Sequence, residues 1–217
     1  MKKLVVFDMD GTILNTLEDI KNSLNYALEK VKLPTRTLQE VRSFVGDGIK
    51  TLIARGMNPV CDKVLAQKVY EYFSEFYKEH CNDFTAPYEG IIDLIKNLKK
   101  LGYKTAVVSN KDDYGVKILC KQFFSELFDC EMGVTPSLEK KPAPDMVLKV
   151  LEILGESRET SVYVGDSDVD YATAKNSDLD FIGVEWGFKG KEFLLSLGTK
   201  YIAEIPSQVE KILREEL

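Results

Sequence analysis

Histidine and paired cysteines are scarce in this sequence, and their scarcity excludes several kinds of site. The 217 residues include one histidine, His80, so a zinc site of the HExxH type, which needs two, is excluded. A serine–histidine–aspartate triad would have to use His80. The four cysteines form no CxxC pair, which argues against zinc ribbons and thioredoxin-like redox motifs. Scattered cysteines in a chain of this size are typical of reduced thiols in a cytoplasmic protein.

Long apolar runs and an excess of positive charge are also missing. No stretch approaches the roughly 18 apolar residues of a membrane span, and the apolar run near the N-terminus is too short for a signal peptide. Lys and Arg total 29 against 35 Asp and Glu, a formal net charge of −6, which argues against nucleic-acid binding. We therefore expect a cytoplasmic monomer or homodimer that contacts neither a membrane nor nucleic acid.

Apolar runs that alternate with helical patterns predict the fold of most of the chain. Such runs at 4–7, 105–108, 162–164 and 181–184 predict strands buried on both faces, as in a parallel sheet. Helical segments separate these runs. We therefore expect an α/β core, a doubly wound, Rossmann-like parallel sheet, made of residues 1–14 and 88–217.

Residues 15–87 contain no comparable strand and predict a helical domain inserted into this core. Apolar spacing predicts a first helix that Pro34 stops and a second helix that begins after Thr37. A third helix should end at Gly56. The aromatic stripe of a long fourth helix, 64–77, should pack in the core between helices.

Polar clusters follow three of the predicted strands, and a parallel sheet would bring them to one edge. The clusters are Asp8, Asp10 and Thr12 after the first strand, Ser109, Asn110 and Lys111 after the second, and Asp166, Ser167, Asp168 and Asp170 after the third. A fourth candidate, Lys141, lies in a loop that two prolines stiffen.

The residue types in these clusters point to phosphoryl transfer. Crowded carboxylates raise one another's pKa or require a cation, and an all-oxygen site suits Mg²⁺. Ser109, the amide of Asn110 and a lysine are suitable partners for a phosphoryl group. Taken alone, the first cluster could be a turn, Asp168 a helix cap and Lys141 a solvated lysine. Their occurrence together favours Mg²⁺-dependent phosphoryl transfer.

The four motifs, in this order, resemble those of the haloacid dehalogenase superfamily of phosphohydrolases. They are Asp8-Met9-Asp10-Gly11-Thr12, Ser109-Asn110, Lys141 in KPAP, and Gly165-Asp166-Ser167-Asp168-Val169-Asp170. The resemblance spans nearly the whole chain. It implies that the helical insertion 15–87 is a type 1 cap, which closes over the site in that family.

The resemblance also implies roles for the acidic residues. Asp8 would be the nucleophile that forms an aspartyl-phosphate, and Asp10 would be the general acid and then the general base. Mg²⁺ would be held by the Asp8 carboxylate, the Asp10 backbone carbonyl and Asp166. Asp170 would support the metal site or orient Lys141.

The remaining implied roles concern phosphate and substrate binding. The phosphoryl oxygens would be held by Thr12, Ser109, the Asn110 amide and Lys141. Within the superfamily, the glycine-rich segment 45–48 and the segment Gly183-Val184-Glu185-Trp186-Gly187-Phe188 resemble phosphoglycolate phosphatase-like enzymes, which implies 2-phosphoglycolate as the substrate. Lys50, Arg55 and Lys111 are candidates for contacts that set substrate specificity.

Several other activities stay open at this point. Pyrophosphatases and nucleotidases of the same branch share these motifs. A β-phosphoglucomutase-like mutase is less favoured, because such enzymes carry an acidic residue where this chain has Gly165. A receiver-like signalling module also combines acidic residues, a Ser or Thr and a Lys, but it lacks a helical insertion and uses an aspartate after its third strand.

Overall fold

A computed structural model describes residues 2–217 as two units. The first unit is the segment up to Leu14 together with Pro87–Leu217, and the second is Asn15–Ala86. A six-stranded sheet lies in the first unit, whereas four helices form most of the second. Within residues 2–217, no helix combines the length and the apolar character that a membrane span needs.

The six strands of the large sheet are all parallel, which confirms the predicted fold class. In chain order the strands are β1 (Leu4–Phe7), β2 (Leu14–Asn15), β3 (Ala86–Pro87), β4 (Lys104–Asp112), β5 (Cys130–Val134), β6 (Ser161–Gly165), β7 (Asp180–Val184) and β8 (Tyr201–Ala203). The large sheet has the order β5-β4-β1-β6-β7-β8, and β2 and β3 form a separate two-stranded sheet.

Helices connect the strands of the first unit and form most of the second. The second unit contains α1 (Leu17–Lys30), α2 (Leu38–Phe44), α3 (Ile49–Met57) and α4 (Lys63–His80). The first contains α5 (Ile91–Lys100), α6 (Asp113–Phe124), α7 (Asp145–Leu154), α8 (Asp168–Asn176), α9 (Lys191–Ser196) and α10 (Pro206–Glu215).

The helices of the second unit differ from the prediction at several of their ends. Helix α1 ends at Lys30, before Pro34, and α4 runs to His80 rather than to residue 77. As predicted, α2 begins directly after Thr37, whose side chain accepts a hydrogen bond from the backbone N–H of Glu40. The expected end of α3 at Gly56 is wrong, because the helix continues to Met57. Gly56 instead allows close packing, since a Cβ atom there would lie 3.0 Å from Leu24 Cδ2 on α1.

The central strand β1 is buried on both faces. Leu4 and Val6 pack in one cluster with Met146 and Val150 of α7. Side chains alternate across a strand, so Phe7 points to the opposite face, where its ring meets that of Phe128 edge-on at 6.2 Å. Because both faces of the strand are covered by apolar groups, polar side chains collect at its end.

The register of the sheet aligns the ends of three strands. Phe7 of β1 is paired with Val107 of β4 and with Val164 of β6. The residues that follow these positions, Asp8 and Asp166 among them, therefore emerge at the same edge of the sheet. This is the edge at which parallel α/β sheets bind ligands.

Two of the strands missed by sequence reasoning lie at the edges of the large sheet, and the other two, β2 and β3, form the small sheet. Neither β5 nor β8 was predicted, and Glu131 and Gly133 interrupt the apolar pattern of β5. The strand predicted to stop at Val108 continues as β4 to Asp112, with an irregularity in register between these residues. Residues 109–111 therefore lie in the irregular end of a strand rather than in a separate loop.

Candidate active site

The Lys141 side chain lies at the centre of a buried cluster of charged groups. Its Nζ donates to Asp8 Oδ1 at 2.6 Å and to Asp170 Oδ1 at 2.8 Å. Only 3% of the Lys141 side chain and 10% of the Asp8 side chain are exposed, and the Asp170 side chain is fully buried. Buried charges are costly unless they are paired, so this contact allows all three groups to occupy the interior.

The sheet brings these side chains together from distant parts of the chain. Asp8 directly follows β1, and its backbone N–H donates to a carbonyl of the neighbouring strand β6 at 2.9 Å. Asp166 directly follows β6, and Asp170 lies in the first turn of α8. Lys141 comes from the loop between β5 and α7, where Asn110 Nδ2 donates to the Lys141 carbonyl at 3.1 Å.

The N-terminus of α8 holds the Asp170 carboxylate in place. Asp170 Oδ2 accepts from the Ser167 N–H at 3.1 Å and from the Ser167 hydroxyl at 2.6 Å. Ser167 Oγ in turn accepts from the Asp170 N–H, so Ser167 and Asp170 form a capping box. The suggested cap role of Asp168 is therefore wrong, because Ser167 occupies the N-cap position. With Oδ2 bound in this way, Oδ1 of Asp170 faces Lys141.

Close backbone packing surrounds the Asp166 carboxylate. Its Oδ1 accepts from Thr12 Oγ1 at 3.3 Å, and its Oδ2 accepts from the Phe188 N–H at 2.6 Å. A Cβ atom at Gly187 would lie 2.2 Å from Asp166 Cβ, so this close approach requires glycine. Trp186 Nε1 donates to the Thr12 carbonyl at 2.9 Å. The segment after β7 therefore supports both Asp166 and the loop after β1.

Burial and repulsion raise the pKa values of the site carboxyl groups. Burial and then the Asp170 charge hold the pKa of Asp8 well above its ordinary value, although Lys141 opposes them. The same two causes raise the pKa of Asp166 to about 7. Burial alone would lower the pKa of Lys141, but the Asp170 and Asp8 charges outweigh it and raise that pKa well above its ordinary value. An added cation would stabilise the charged form of these carboxyl groups.

The acidic groups have the chemistry and spacing of a site for a hard divalent cation. Asp8, Asp166 and Asp170 each offer a carboxylate oxygen, and these oxygens lie within 4.8 Å of one another. Asp170 Oδ1 is paired with the Lys141 ammonium group, and its Oδ2 accepts from the Asp166 N–H, the Ser167 N–H and the Ser167 hydroxyl. The Asp166 oxygens accept from two neutral donors, the Thr12 hydroxyl and the Phe188 N–H, and are less occupied. Asp8 and Asp166 are therefore the carboxylates best suited to a cation such as Mg²⁺, which prefers oxygen ligands.

Asp10 and Lys111 form a second ion pair in the first unit. Lys111 Nζ lies 3.3 Å from Asp10 Oδ2, and only 5% of the Lys111 side chain is exposed. Asp10 Oδ1 is buried, and residues 2–217 provide no hydrogen-bond partner for it. The structure thus places Lys111 in contact with Asp10, the predicted general acid and base. A direct role of Lys111 in substrate specificity stays a prediction.

Three of the predicted phosphate-binding residues make contacts that support other site residues. Thr12 donates to Asp166, and Asn110 donates to the Lys141 backbone. The buried Ser109 Oγ accepts from the Lys111 N–H at 3.2 Å. Each therefore helps to shape the site, and its contact with phosphate stays a prediction.

Two predicted specificity residues, Lys50 and Arg55, lie on α3 in the second unit. Arg55 Nη2 lies 2.6 Å from Asp47 Oδ2, and Arg55 Nη1 donates to the Phe44 carbonyl at 2.7 Å. Through these two contacts Arg55 stabilises the segment between α2 and α3. Lys50 is exposed, and a role of either residue in substrate binding stays a prediction.

Sequence reasoning missed the part that Tyr163 plays in this cluster. Tyr163 is the middle residue of β6 and is fully buried. Its Oη lies 3.1 Å from Lys141 Nζ and 3.3 Å from Asp170 Oδ1. A tyrosine inside an apolar strand has the pattern of a core residue, so only its polar hydroxyl gave a signal. The contacts that Trp186 and Phe188 make to the site were likewise not predicted.

Comparisons with known proteins agree with this site. Residues 5–184 match the family model described as haloacid dehalogenase-like hydrolase. A phosphoglycolate phosphatase from Aquifex aeolicus (strain VF5) is 34% identical over 191 residues, which cover 86% of this chain and 86% of that protein. A protein from Caldanaerobacter subterraneus subsp. tengcongensis, provisionally named pyrophosphatase PpaX, is 31% identical and covers 97% of this chain and 94% of its own length.

A solved structure shows the same likeness in three dimensions. The crystal structure of a protein from Lactobacillus delbrueckii subsp. bulgaricus, provisionally named phosphoglycolate phosphatase, superposes with a TM-score of 0.94 at 35% identity. The match covers 98% of this chain and 99% of that one. The predicted superfamily is thereby confirmed: this chain belongs to the haloacid dehalogenase-like hydrolase family.

Proposed function

We propose that the protein is a Mg²⁺-dependent phosphomonoester hydrolase that acts through an aspartyl-phosphate on Asp8. The observation that carries this proposal is the buried Lys141 ammonium group, which contacts Asp8 and is held by Asp170. Phosphoryl transfer mainly needs positioning and neutralisation of charge. A carboxylate nucleophile beside a fixed ammonium group supplies both.

Two steps complete the proposed reaction. In the first, an Asp8 carboxylate oxygen bonds to phosphorus while the bond to the leaving oxygen breaks, and Asp10 gives its proton to that oxygen. In the second, Asp10 takes a proton from water, and the water oxygen displaces Asp8 from phosphorus. Orthophosphate leaves, and the Asp8 carboxylate and the protonated Asp10 are restored.

The two oxygens of Asp10 have different surroundings. Its Oδ2 is paired with Lys111, whereas its Oδ1 is buried and lacks a partner among residues 2–217. An oxygen in that state is available to exchange a proton with a leaving group or with water. Lys111 fixes the other oxygen and thus the orientation of the carboxyl group.

Asp8 and Asp166, with the backbone carbonyl of Asp10, would hold Mg²⁺. The ion, when bound, supplies positive charge that offsets the charge of the phosphoryl group. Lys141 supplies further positive charge, and Thr12, Ser109 and Asn110 supply hydrogen bonds to phosphoryl oxygens. The roles of Asp8, Asp166 and Lys141 rest on the contacts described above, whereas those of Thr12, Ser109 and Asn110 rest on the motifs of the family.

We propose 2-phosphoglycolate as the substrate, because the relative from Aquifex aeolicus carries the name phosphoglycolate phosphatase. Pyrophosphate is the second candidate, because the relative from Caldanaerobacter carries the provisional name of a pyrophosphatase at 31% identity. A mutase is disfavoured, since a Cβ atom at Gly165 would lie 2.4 Å from Asp170 Cβ and an acidic side chain would not fit. Membership of the hydrolase family argues against a receiver module.

The raised pKa of Asp166 predicts that stabilisation by Mg²⁺ depends on pH. Without metal, a carboxyl group whose pKa is raised on folding destabilises the folded state. The cost is complete above the folded pKa, here about 7, and it decreases as pH falls from there toward the ordinary pKa of an aspartate. Mg²⁺ removes this cost at pH 8 and must displace protons at pH 6. At one fixed concentration, tenfold above its Kd at pH 8, Mg²⁺ should raise the melting temperature by about 3–6 °C at pH 8. The same concentration should raise it by clearly less at pH 6, because protons compete with the metal and weaken its binding.

Differential scanning fluorimetry with and without MgCl₂ measures this difference. Asp166→Asn should lose the shift, while Asp168→Asn, which changes an exposed aspartate of the same segment, should keep it. A shift that is as large at pH 6 as at pH 8, or that survives in Asp166→Asn, would contradict the proposed metal site.

Replacing the proposed nucleophile should abolish activity without unfolding the protein. We expect Asp8→Asn to lower kcat for 2-phosphoglycolate by roughly 10³-fold or more, because the amide cannot form the aspartyl-phosphate. Release of orthophosphate from 2-phosphoglycolate, pyrophosphate, nucleoside monophosphates and sugar phosphates is measured for the wild type and for Asp8→Asn. Asp168→Asn serves as the control and should keep wild-type turnover.

The same panel of substrates tests the identity of the substrate independently of the mechanism. A highest kcat/KM for 2-phosphoglycolate supports the first candidate, whereas a highest value for pyrophosphate favours the second. Turnover of Asp8→Asn at the wild-type rate would contradict the mechanism whichever substrate is preferred.

Removal of the proposed acid should have an effect that depends on the leaving group. Asp10→Asn should lower kcat/KM for an alkyl phosphate by about 10²- to 10⁴-fold, because the alkoxide must then leave without a proton. p-Nitrophenyl phosphate has a stable leaving group, so its kcat/KM should fall at least about tenfold less. The ratio kcat/KM is the appropriate measure, since it excludes the later hydrolysis step. Equal losses for both esters would argue against the acid role.

A further inference from the structure

Tyr163 presents a hydroxyl group to the charged cluster from inside the sheet. Its side chain belongs to the apolar cluster that contains Val6, Val108 and Met146, and it is fully buried. The Tyr163 Oη lies 3.1 Å from Lys141 Nζ. An apolar residue would satisfy the packing at this position, so the hydroxyl requires a separate explanation.

The hydroxyl completes the hydrogen bonding of the Lys141 ammonium group. An ammonium group has three N–H donors and no acceptor. Lys141 Nζ has three acceptors within hydrogen-bond distance, at 2.6 Å from Asp8, 2.8 Å from Asp170 and 3.1 Å from Tyr163. All three donors are therefore used, and the ammonium group cannot turn without losing a bond.

Tyr163 differs from the other two acceptors because it is neutral. The phenol keeps its proton at neutral pH, and burial raises its pKa further. Its own proton can be donated to the Val108 carbonyl or to Asp170 Oδ1, each at 3.3 Å. A neutral acceptor orients the ammonium group without cancelling its charge, which a third carboxylate would do.

We propose that Tyr163 is a positioning residue, which fixes the direction of the Lys141 ammonium group toward Asp8. This inference rests on the proposed function, in which Asp8 carries the phosphoryl group. Tyr163 does not touch the substrate and acts through Lys141. Its loss therefore reduces the charge stabilisation of the transferring phosphoryl group and leaves the sheet intact.

The test is Tyr163→Phe, which removes one oxygen atom and keeps the packing of the ring. A hydrogen bond to a charged group is typically worth a 10- to 100-fold effect, so we expect kcat to fall by about that factor. The inhibition constant of orthophosphate should rise, because the Lys141 charge is then held less firmly beside Asp8, where the phosphoryl group is proposed to bind. KM should change less than kcat. The matched control is Tyr201→Phe, which removes the hydroxyl of another buried tyrosine in the same sheet.

A double-mutant cycle with Lys141→Arg distinguishes positioning from a structural role. If Tyr163 acts through Lys141, the factor by which Tyr163→Phe lowers kcat approaches one when arginine already replaces Lys141. Independent, multiplicative losses would overturn the inference, as would a Tyr163→Phe variant no slower than Tyr201→Phe. In those cases the wild type is active and Asp8→Asn is inactive, so the proposed function stands. A wild type that releases no phosphate from any ester would overturn both.

Discussion

The contact of one buried ammonium group with two buried carboxylates is the interaction on which the rest of the site depends. Lys141 bonds to Asp8 and Asp170, while Asp166 adds a third buried carboxyl group whose oxygen lies within 4.8 Å of theirs. Burial, and then repulsion from the Asp170 charge, raise the pKa values of Asp8 and Asp166, and one positive charge does not balance three negative ones. Such a cluster gains stability from a further cation, and this need connects the electrostatics of the fold with the proposed use of Mg²⁺.

Neutral hydrogen-bonding groups, rather than additional charges, hold these buried carboxyl groups in place. The capping box of α8 fixes Asp170, the Phe188 N–H binds Asp166, and the parallel register of β1 with β6 sets Asp8 beside them. Gly187 permits the segment after β7 to approach Asp166 more closely than any side chain would allow. The neutral hydroxyl of Tyr163 acts in the same way, since it adds a hydrogen bond and no net charge.

Sequence patterns predict the central part of this molecule better than its edges. Strands β1, β6 and β7 are continuous apolar runs because both faces are buried, and the acidic motifs directly follow β1 and β6. Neither edge strand offers such a run: Glu131 and Gly133 interrupt β5, and β8 is only three residues long. The contacts of Tyr163 and the pairing of Lys111 with Asp10 depend on side chains that meet across the sheet, and no local pattern encodes such a meeting.

The central claim is that Asp8 becomes phosphorylated during turnover, and it can be tested on the intact enzyme. Rapid acid quench during steady-state hydrolysis, followed by peptide mass spectrometry, detects a phosphate group on a carboxylate side chain. The account predicts a transient acyl phosphate on the peptide that contains Asp8, at up to one phosphate per chain, which decays once substrate is exhausted. Sustained turnover with no phosphorylated peptide at any quench time, or with the phosphate on another residue, would contradict it.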